Sequence, residues 1–442
     1  MFASLLMLAL AAPSIASPFV ATFSDLKKIG QSNYTHFWMP APLTLSSSLP
    51  SARLLVHVDL CGDGEACPPP GHPQNSAAYF TAASTGGPWT TSTGAYLGTI
   101  IRINATVTRG FGGIRLDPAT NTTATCTYED WIEDGSGHVR SLTPGKAQLA
   151  TITGLPQMLA VAYFMPSPSA VIHTGSKEVY LTQFYGYIAG ATAGCTAVVS
   201  RGCYSVVTIA SEDKGASWAY KSSIDWDGAR MPAHVEGPCE SALATMADGK
   251  TLLSVFRVDE YQNMWQAVST DGGSSFSAPS ETNAWAVFPE LRALPSGALV
   301  LTAGRPGIGL WLADGRSVGA GPEPLSWRFH NLAREHNALA GAKDPSILYP
   351  APELAVVNAS SVPSTPPATK AYTGLAFVGC EAAATSKTSQ TSAAGCTVAV
   401  SYDRLSNGNA GPDPPGPHGP VDAAFTMRVT VTLDPAAAQK SQ

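Results

Sequence analysis

Apolar residues along this chain either alternate with polar residues or form short blocks, and almost no stretch has the spacing of an amphipathic helix. Clear examples are residues 53–59, 179–185, 205–210 and 251–256, which Gly, Asp or Ser residues bound. Blocks of this kind predict β-strands, and the 41 Gly and 35 Pro residues predict many turns between them. The pattern favours an all-β fold, as a sandwich, a barrel or a propeller.

A short repeat narrows this choice. Residues 211–218 and 269–276 share the pattern S-x-D-x-G-x-x-[W/F], and degenerate copies follow the same frame at 82–89 and 311–327. In such a turn the Asp accepts hydrogen bonds from amides, the Gly supplies a positive φ, and the aromatic ring packs beneath the turn. The expected structural positions are Asp213, Gly215 and Trp218 in one copy and Asp271, Gly273 and Phe276 in the other.

The spacing of the repeat indicates the architecture. The two full copies begin 58 residues apart (269 − 211), so the chain has room for about six or seven units. A propeller of four-stranded blades fits this number, since no blade can bury both of its faces alone. We therefore predict a single domain over residues 17–434, followed by a tail at 435–442.

The first 16 residues have the layout of a secretory signal peptide. An apolar run from Phe2 to Ala12 precedes a proline, and the small residues Ser14 and Ala16 stand at −3 and −1 from the predicted cleavage point. No later segment is long and apolar enough to span a bilayer. We expect a secreted protein without a membrane span.

Cysteine usage agrees with export. The chain has eight Cys, an even number, and no C-x-x-C motif, so neither a metal site nor a redox cofactor is expected. Three spacings are short enough to close loops or hairpins, and the remaining two residues would form a long-range pair. The predicted disulfides are Cys61–Cys67, Cys195–Cys203, Cys380–Cys396 and Cys126–Cys239.

Charge and sequons bear on partners. The chain has a net charge of −6 with only 13% charged residues, which provides no basic stripe for a nucleic acid. Sequons for N-glycosylation would place four loops on the surface. They lie at Asn33, Asn104, Asn121 and Asn358.

The repeated turn resembles the Asp-box (BNR repeat) of sialidases, or neuraminidases, and of their six-bladed β-propeller relatives. The stretch from Glu240 through a D-G turn to Arg257 resembles one sialidase blade, and it leads directly into the second full copy of the repeat. The segments around Arg305 and Tyr372 resemble later sialidase segments, and residues 400–403 resemble the strand that follows the second of these. The resemblance runs from about residue 37 to residue 432, and it implies a six-bladed β-propeller with Asp-box turns.

The resemblance also implies a reaction. Sialic acids carry a carboxylate on the anomeric carbon, so an Asp or Glu nucleophile would meet a negative charge. Retaining sialidases attack the anomeric carbon with a tyrosine instead. A phenol needs a base to accept its proton at neutral pH, and Tyr372 with Glu240 matches that pair. Arg257 and Arg305 match two of the three arginines that bind the substrate carboxylate. A glycan or glycoconjugate is the expected partner, and the sequence is silent on oligomeric state.

Two family positions differ or stay open. Trp38, within the segment 37–40, stands where sialidases have their first arginine; it is either a stacking platform for a glycan or a plug. The acid/base residue is Asp59 or Asp63, with spacing favouring Asp63. The first hypothesis is a secreted exo-α-sialidase-like glycosidase. The alternative, motivated by Trp38, is a non-catalytic propeller that binds glycans or proteins.

Overall fold

The computed structural model describes the chain from residue 17 to residue 434 with gaps. The described residues are 17–32, 38–44, 54–59, 76–82, 87–95, 100–104, 106–133, 139–142, 146–164, 170–174, 176–190, 202–232, 235–259, 262–305, 307–319, 324–341, 347–349, 351–356, 372–381, 395–404 and 422–434. The predicted signal peptide, the predicted tail, Asp63, Asn33 and Asn358 lie outside these residues.

Within these residues the chain is almost entirely β-structure. In chain order the strands are β1 (Phe19–Ser32), β2 (Trp38–Thr44), β3 (Leu54–Asp59), β4 (Ser76–Ala82), β5 (Trp89–Ala95), β6 (Ile100–Arg102), β7 (Val107–Leu116), β8 (Ala124–Glu133), β9 (Val139–Ser141), β10 (Gln148–Thr153), β11 (Met158–Phe164), β12 (Ala170–Thr174), β13 (Lys177–Ile188), β14 (Tyr204–Ser211), β15 (Ser217–Ile224), β16 (Ser241–Thr245), β17 (Leu252–Phe256), β18 (Asn263–Ser269), β19 (Ser280–Trp285), β20 (Val287–Ala293), β21 (Ala298–Gly304), β22 (Ile308–Asp314), β23 (Arg328–Asn331), β24 (Thr373–Cys380), β25 (Cys396–Arg404) and β26 (Asp422–Leu433).

Twenty-four of these strands form the six blades of a β-propeller, and the short strands β9 and β12 pair additionally with β8 and β13. From the inside outwards, blade 1 is β2-β3-β4-β5, blade 2 is β6-β7-β8-β10, blade 3 is β11-β13-β14-β15, blade 4 is β16-β17-β18-β19, blade 5 is β20-β21-β22-β23 and blade 6 is β24-β25-β26-β1. Neighbouring strands within a blade are antiparallel, whereas the outer strands β10 and β15 pair in parallel and join blades 2 and 3 into one sheet. The all-β propeller expected from the sequence is confirmed.

The two ends of the described chain close the ring. The N-terminal strand β1 is the outermost strand of blade 6, where it pairs with β26 from Phe19↔Leu433 to Ser32↔Asp422. Two register shifts interrupt this ladder, and Asp25 beside the first of them has a positive φ of 51°. The blade therefore depends on both ends of the propeller sequence.

The core consists of apolar layers between adjacent blades. Val300 and Leu310 of blade 5 pack with Val398 and Phe425 of blade 6 in one cluster. On the opposite face of blade 5, Leu299, Leu301 and Trp311 join residues of blade 4 such as Leu253 and Val255 in a second cluster. Because successive side chains of a strand point to opposite faces, the alternating pattern buries both faces of each inner strand.

All four copies of the repeat occupy the same place in their blades. Residues 211–218 join β14 to β15, 269–276 join β18 to β19, 82–89 join β4 to β5, and 311–327 connect β22 to β23. Each is the connection between the third and fourth strands. In the last copy the chain instead forms a one-turn 3-10 helix at Gly315–Ser317, which the Asp314 carboxylate caps by accepting the Arg316 N–H.

The two full copies have matching hydrogen bonds. Asp213 accepts from the backbone and hydroxyl of Ser217 at 2.9 and 2.6 Å, and Asp271 accepts from Ser275 in the same way at 2.9 and 2.6 Å. Gly215 has a φ of 81° and Gly273 one of 85°. The two aromatic residues of the pattern are Trp218, which is buried, and Phe276, which packs at the edge of the core.

Two short helices were not expected from the pattern. Helix α1 (Leu332–Ala340) follows blade 5 directly, and helix α2 (Ala351–Ala355) comes after it. Asn331 caps α1 by accepting the Arg334 N–H, and the buried His336 contacts the Tyr402 hydroxyl through Nδ1 at 2.8 Å. A nine-residue helix between strands gives too few turns for its period to stand out.

One cysteine prediction is wrong. Cys126 and Cys239 are free buried thiols in this structure, because Cys126 lies on β8 of blade 2 and Cys239 precedes β16 of blade 4, with blade 3 between them. Burial raises the pKa of the Cys126 thiol to about 12. Elimination from an even cysteine count could not reveal this separation.

The other cysteines agree with the sequence as far as they are described. Cys380 and Cys396 are cross-strand partners on β24 and β25 and form the predicted disulfide. Cys203 is disulfide-bonded, while Cys195, Cys61 and Cys67 lie outside the described residues.

Surface features of the sequence fall on loops. Asn104 is exposed in the turn before β7, where its side chain accepts the Thr106 and Val107 amides, and Asn121 lies in the turn between β7 and β8. No helix in the described part of the chain is long and apolar enough to cross a membrane.

Candidate functional site

The strand order places the candidate residues at one end of the propeller, which we call the site end. Glu240 immediately precedes the inner strand β16, and Arg257 immediately follows β17. Because Ser241 pairs with Phe256, these two residues lie opposite each other across the strand pair. The same reasoning places Arg305, after β21, and Tyr372, before β24, at the corresponding ends of blades 5 and 6.

The repeated turns lie at the other end. A chain that leaves the site end along an inner strand returns along the second strand and leaves again along the third. The connection from third to fourth strand therefore lies far from Glu240 and Arg257. Asp213 and Asp271 are for this reason remote from the candidate site.

Glu240 belongs to a buried ionic cluster. Its Oε1 lies 3.1 Å from Arg257 Nη1, and the side chains of Glu240 and Arg257 are 7% and 8% exposed. Arg257 Nη2 also donates to Glu236 Oε2 at 2.9 Å. Burial opposes the charge of the guanidinium, but the adjacent carboxylates outweigh it and raise the pKa of Arg257. One arginine thus binds two carboxylates at the site end of blade 4.

Phe288 connects this cluster to Tyr372. Its backbone N–H donates to Glu240 Oε2 at 3.0 Å, so both oxygens of Glu240 have partners. Its ring meets the Tyr372 ring edge-on, with centroids 5.3 Å apart at 88°. Residues of blades 4, 5 and 6 are therefore in direct contact at the site end.

Tyr372 is held from several sides. The guanidinium carbon of Arg305 lies 5.8 Å from the centroid of its ring. Its backbone N–H donates to Asp403 Oδ1 at 2.9 Å, and the Asp403 N–H donates to the Tyr372 carbonyl at 3.3 Å. Tyr372 is only 2% exposed, and Asp403 is fully buried. The phenol therefore has a fixed position at the base of this end of the molecule.

The remaining sequence candidates lie at the start of blade 1. Trp38 opens β2 and is the cross-strand partner of Asp59, the last residue of β3. Only the backbone of these two residues is described, and Asp63 lies outside the described residues. Four of the seven candidates, namely Glu240, Arg257, Arg305 and Tyr372, are thus brought into one connected group.

Three residues of the group were not assigned from the sequence. Glu236 is four positions before Glu240, and Asp403 follows Tyr402 in the segment 400–403, which resembles the sialidase strand after the tyrosine, so both carried a weak signal in their surroundings. Phe288 carried none, because neither its backbone conformation nor its contact with two other blades can be read from composition. The described residues contain no group of three or more His, Cys, Asp or Glu side chains that could hold a metal.

A separate cavity lies at the opposite end of the propeller. A cavity of about 730 Å³ lies between blades 4 and 5 and is lined by Thr270, Ser275, Phe276 and Ser317 among others. These residues belong to the β18–β19 turn and to the 3-10 helix at the opposite end. This cavity is therefore remote from Glu240 and Tyr372.

Comparison with known proteins gives fold-level likeness. No protein-family model matches the sequence, and no curated protein matches it. A protein of unknown function from Dyadobacter fermentans is similar at 12% identity over 92% of this chain and 98% of that one, with a TM-score of 0.49.

Two solved sialidase structures are also similar. Trypanosoma rangeli sialidase has 11% identity over 95% of this chain, which spans 60% of that enzyme, with a TM-score of 0.48. A phage phi92 endosialidase has 8% identity over 92% of this chain and 68% of its own, with a TM-score of 0.46. The case for a function rests on the residues at the site end.

Proposed function

We propose that this chain is a secreted, sialidase-like glycoside hydrolase that acts on sialic acid or a related acidic sugar with retention of configuration. One observation carries the proposal. Glu240, Arg257, Arg305 and Tyr372 were selected from sequence alone and are up to 132 positions apart (372 − 240). Glu240 contacts Arg257, Arg305 lies against Tyr372, and Phe288 contacts both Glu240 and Tyr372 at one end of the propeller. Charge compensation explains the contact of Glu240 with Arg257, but it does not explain why Arg305 and Tyr372, from two other blades, lie at the same end.

The chemistry follows from the nature of the sugar. In the first step the Tyr372 oxygen attacks the anomeric carbon, Glu240 accepts the phenolic proton, and the bond to the leaving oxygen breaks. That oxygen takes a proton from Asp59 or Asp63. In the second step the same aspartate deprotonates a water, which attacks the anomeric carbon. The bond to the Tyr372 oxygen breaks, that oxygen takes its proton back from Glu240, and the sugar is released.

The two arginines have different surroundings and therefore different proposed roles. Arg305 lies over the face of Tyr372, close to where a carboxylate on the reacting carbon would stand. Arg257 is bonded to Glu236 and Glu240, so it fixes the base in addition to any contact with substrate. With Trp38 in place of the family's first arginine, we assign the main carboxylate contact to Arg305.

We also propose that the turns at 211–218 and 269–276 are Asp-boxes. Their support is the matched set of hydrogen bonds around Asp213 and Asp271. Export is supported by the N-terminal apolar run and by the Cys380–Cys396 disulfide. N-terminal sequencing of the exported protein tests the cleavage point, which we expect after Ala16.

A non-catalytic glycan-binding propeller is the second candidate. It is favoured by the 2% exposure of Tyr372, since a nucleophile must reach the substrate, and by Trp38, which removes one arginine from the clamp. On this reading Tyr372→Phe leaves glycan affinity unchanged and no turnover is ever observed.

Hydrolysis of sialosides and related acidic glycosides by the full chain at pH 4–8 separates the two candidates. We expect release of the sugar by the wild type and a loss of at least about 100-fold in kcat for Tyr372→Phe. The matched control is Tyr180→Phe, because the Tyr180 hydroxyl bonds only to Glu178 in blade 3 among the contacts described for it.

The outcomes are distinct. Turnover that survives in Tyr180→Phe and disappears in Tyr372→Phe supports the hydrolase. Glycan binding without release by the wild type, with equal affinity in Tyr372→Phe, supports the binding module. If the wild type neither binds nor releases any of these sugars, both candidates are overturned.

A further inference from the structure

Phe288 touches both members of the proposed catalytic pair without being one of them. We propose that Phe288 is a positioning residue: its backbone N–H orients the Glu240 carboxylate, and its ring fixes the Tyr372 phenol. This inference rests on the proposed function, and the experiment below separates the two. It assigns a role to a residue of blade 5, between partners in blades 4 and 6.

The backbone at Phe288 is in a conformation that a phenylalanine rarely adopts. Its φ is 55°, and Ala286 two residues earlier has a φ of 102°. Among the described residues six non-glycines have a positive φ, and three of them, Ala286, Phe288 and Arg305, lie where β20 meets the end of β21. Such conformations cost free energy and persist where neighbouring contacts fix them, most often at functional sites.

The irregular pairing of β20 accompanies this conformation. Val287 pairs with Gly304, but the next pair is Glu290 with Thr302, so the register shifts between them. Phe288 lies within the shifted part. Its N–H is thereby turned from the ladder towards Glu240 Oε2, 3.0 Å away. A bulge that re-aims a backbone group is typical of strands beside active sites.

The hydrogen bond completes the fixation of Glu240. Oε1 is held by Arg257 Nη1 at 3.1 Å, and Oε2 is held by Phe288 N–H. With both oxygens bonded, the carboxylate plane has one orientation. The Phe288 partner is backbone, so it does not depend on a flexible side chain.

The ring of Phe288 acts on Tyr372. It packs edge-on against the phenol ring, and Arg305 lies towards the same ring at 5.8 Å. The Phe288 side chain has no polar atom that could bind a sugar hydroxyl or carboxylate or transfer a proton. Its effect on a reaction must therefore pass through Tyr372 and Glu240. This predicts a change in kcat with little change in KM.

The experiment combines NMR and kinetics on the full chain. The protein has 14 Phe residues, so [15N]Phe labelling gives few signals, and Phe288→Leu identifies the Phe288 amide by its absence. We expect Glu240→Gln to move this amide proton upfield, because it loses a charged acceptor. We also expect Phe288→Gly to change the ring signals of Tyr372, identified through Tyr372→Phe.

The kinetic arm uses two variants and a control. Phe288→Gly accepts the positive φ but removes the ring, and we expect kcat to fall about 10-fold to 100-fold with KM within about twofold. Phe288→Leu keeps most of the apolar volume and covers the case in which the glycine variant does not fold. Phe329→Leu is the control, since Phe329 lies on β23, the outer strand of blade 5, where it packs on Trp311 of the same blade and on Trp285 of blade 4.

The possible results separate this inference from the proposed function. If the wild type is active and the Phe288 variants have the same kcat, the positioning role alone is overturned. It is also overturned if the Phe288 variants raise KM only to the extent that Phe329→Leu does. An inactive wild type in which both NMR responses are present overturns the hydrolase and leaves the positioning of Glu240 and Tyr372 supported. If the chemical shift of the Phe288 amide proton does not change in Glu240→Gln, the inference is overturned whether or not the protein is active.

Discussion

Arg257 shows how single residues are constrained at the site end. It is surrounded by low-dielectric core, and it is stable there because Glu236 and Glu240 compensate its charge at 2.9 and 3.1 Å. The proximity of Arg257 and Glu240 could be anticipated, since they are equally distant along the chain from the turn at Asp248 and Gly249, which folds β16 onto β17. The bond to Phe288 could not, because it depends on an irregular strand from another blade.

Removing this arginine tests the ionic cluster. We expect Arg257→Met to lower the free energy of unfolding by about 3–5 kcal/mol, because two carboxylates would be left facing each other in a buried site. Urea unfolding measures this. Adding Glu240→Gln should restore part of the loss. The control is Lys177→Met, whose ion pair with Glu212 is 69% and 64% exposed and contributes at most about 1 kcal/mol.

The glycines of the repeated turns can be tested against a glycine elsewhere. A Cβ at Gly215 would overlap the Phe111 ring, whereas one at Gly249 meets nothing within 4 Å, although φ is 81° and 68° respectively. We expect Gly215→Ala to cost about 2 kcal/mol more than Gly249→Ala, since both incur the positive φ but only the first is overpacked. Equal melting temperatures for the two variants would contradict the close packing beneath this turn.

At the scale of elements, the third-to-fourth strand connections define the blade. The sequence pattern identified the two full turns because the hydrogen bonds that stabilise them are local. They join an aspartate, a serine and a glycine within eight residues. It missed α1, whose position depends on packing of His336 against Tyr402 and Phe425 in another blade. It also paired Cys126 with Cys239, since counting cysteines carries no information about which blades are adjacent.

The Asp271 turn should have a characteristic pH dependence. Burial alone would raise the pKa of Asp271, but hydrogen bonds from Ser275 and Ser269 outweigh it and lower the pKa to about 2. A group whose folded pKa is depressed stabilises the fold above its unfolded pKa of about 4, and this contribution is lost as the pH falls through about 2.

We therefore expect Asp271→Asn to be less stable than wild type by about 1 kcal/mol at pH 6, a modest value because the carboxylate is exposed. The difference should shrink towards zero near pH 2. Chemical unfolding at several pH values measures it, with Glu212→Gln as the exposed reference. A difference that is independent of pH would contradict the assigned hydrogen bonds.

At the scale of the whole molecule, closure of the ring depends on β1. The strand pairs with β26 along most of its length, although it lies at the other end of the described chain. Sequence patterns recognised blades from local repeats, but they did not reveal that blade 6 takes its outer strand from the N-terminus. Such pairing is set by the geometry of ring closure, and no sequence pattern within a single strand indicates it.

Truncation tests this closure. A chain that begins at residue 33 lacks β1 and exposes the edge of β26, and we expect it to aggregate or to melt at least about 10 °C lower than wild type. A chain that ends at residue 434 loses only the predicted tail and should melt as the wild type does. Thermal unfolding with size-exclusion chromatography gives both answers. An unchanged melting temperature without β1 would contradict its role.

The central claim is that Tyr372 is the nucleophile at the site end. Acid-quenched turnover of an acidic glycoside, followed by tryptic digestion and mass spectrometry, tests it most directly. The account predicts a glycosyl group on Tyr372 in the peptide of residues 371–387, and no such adduct in Tyr372→Phe. Turnover without an adduct on this peptide, or with the sugar attached to the peptide that carries Glu240, would contradict it.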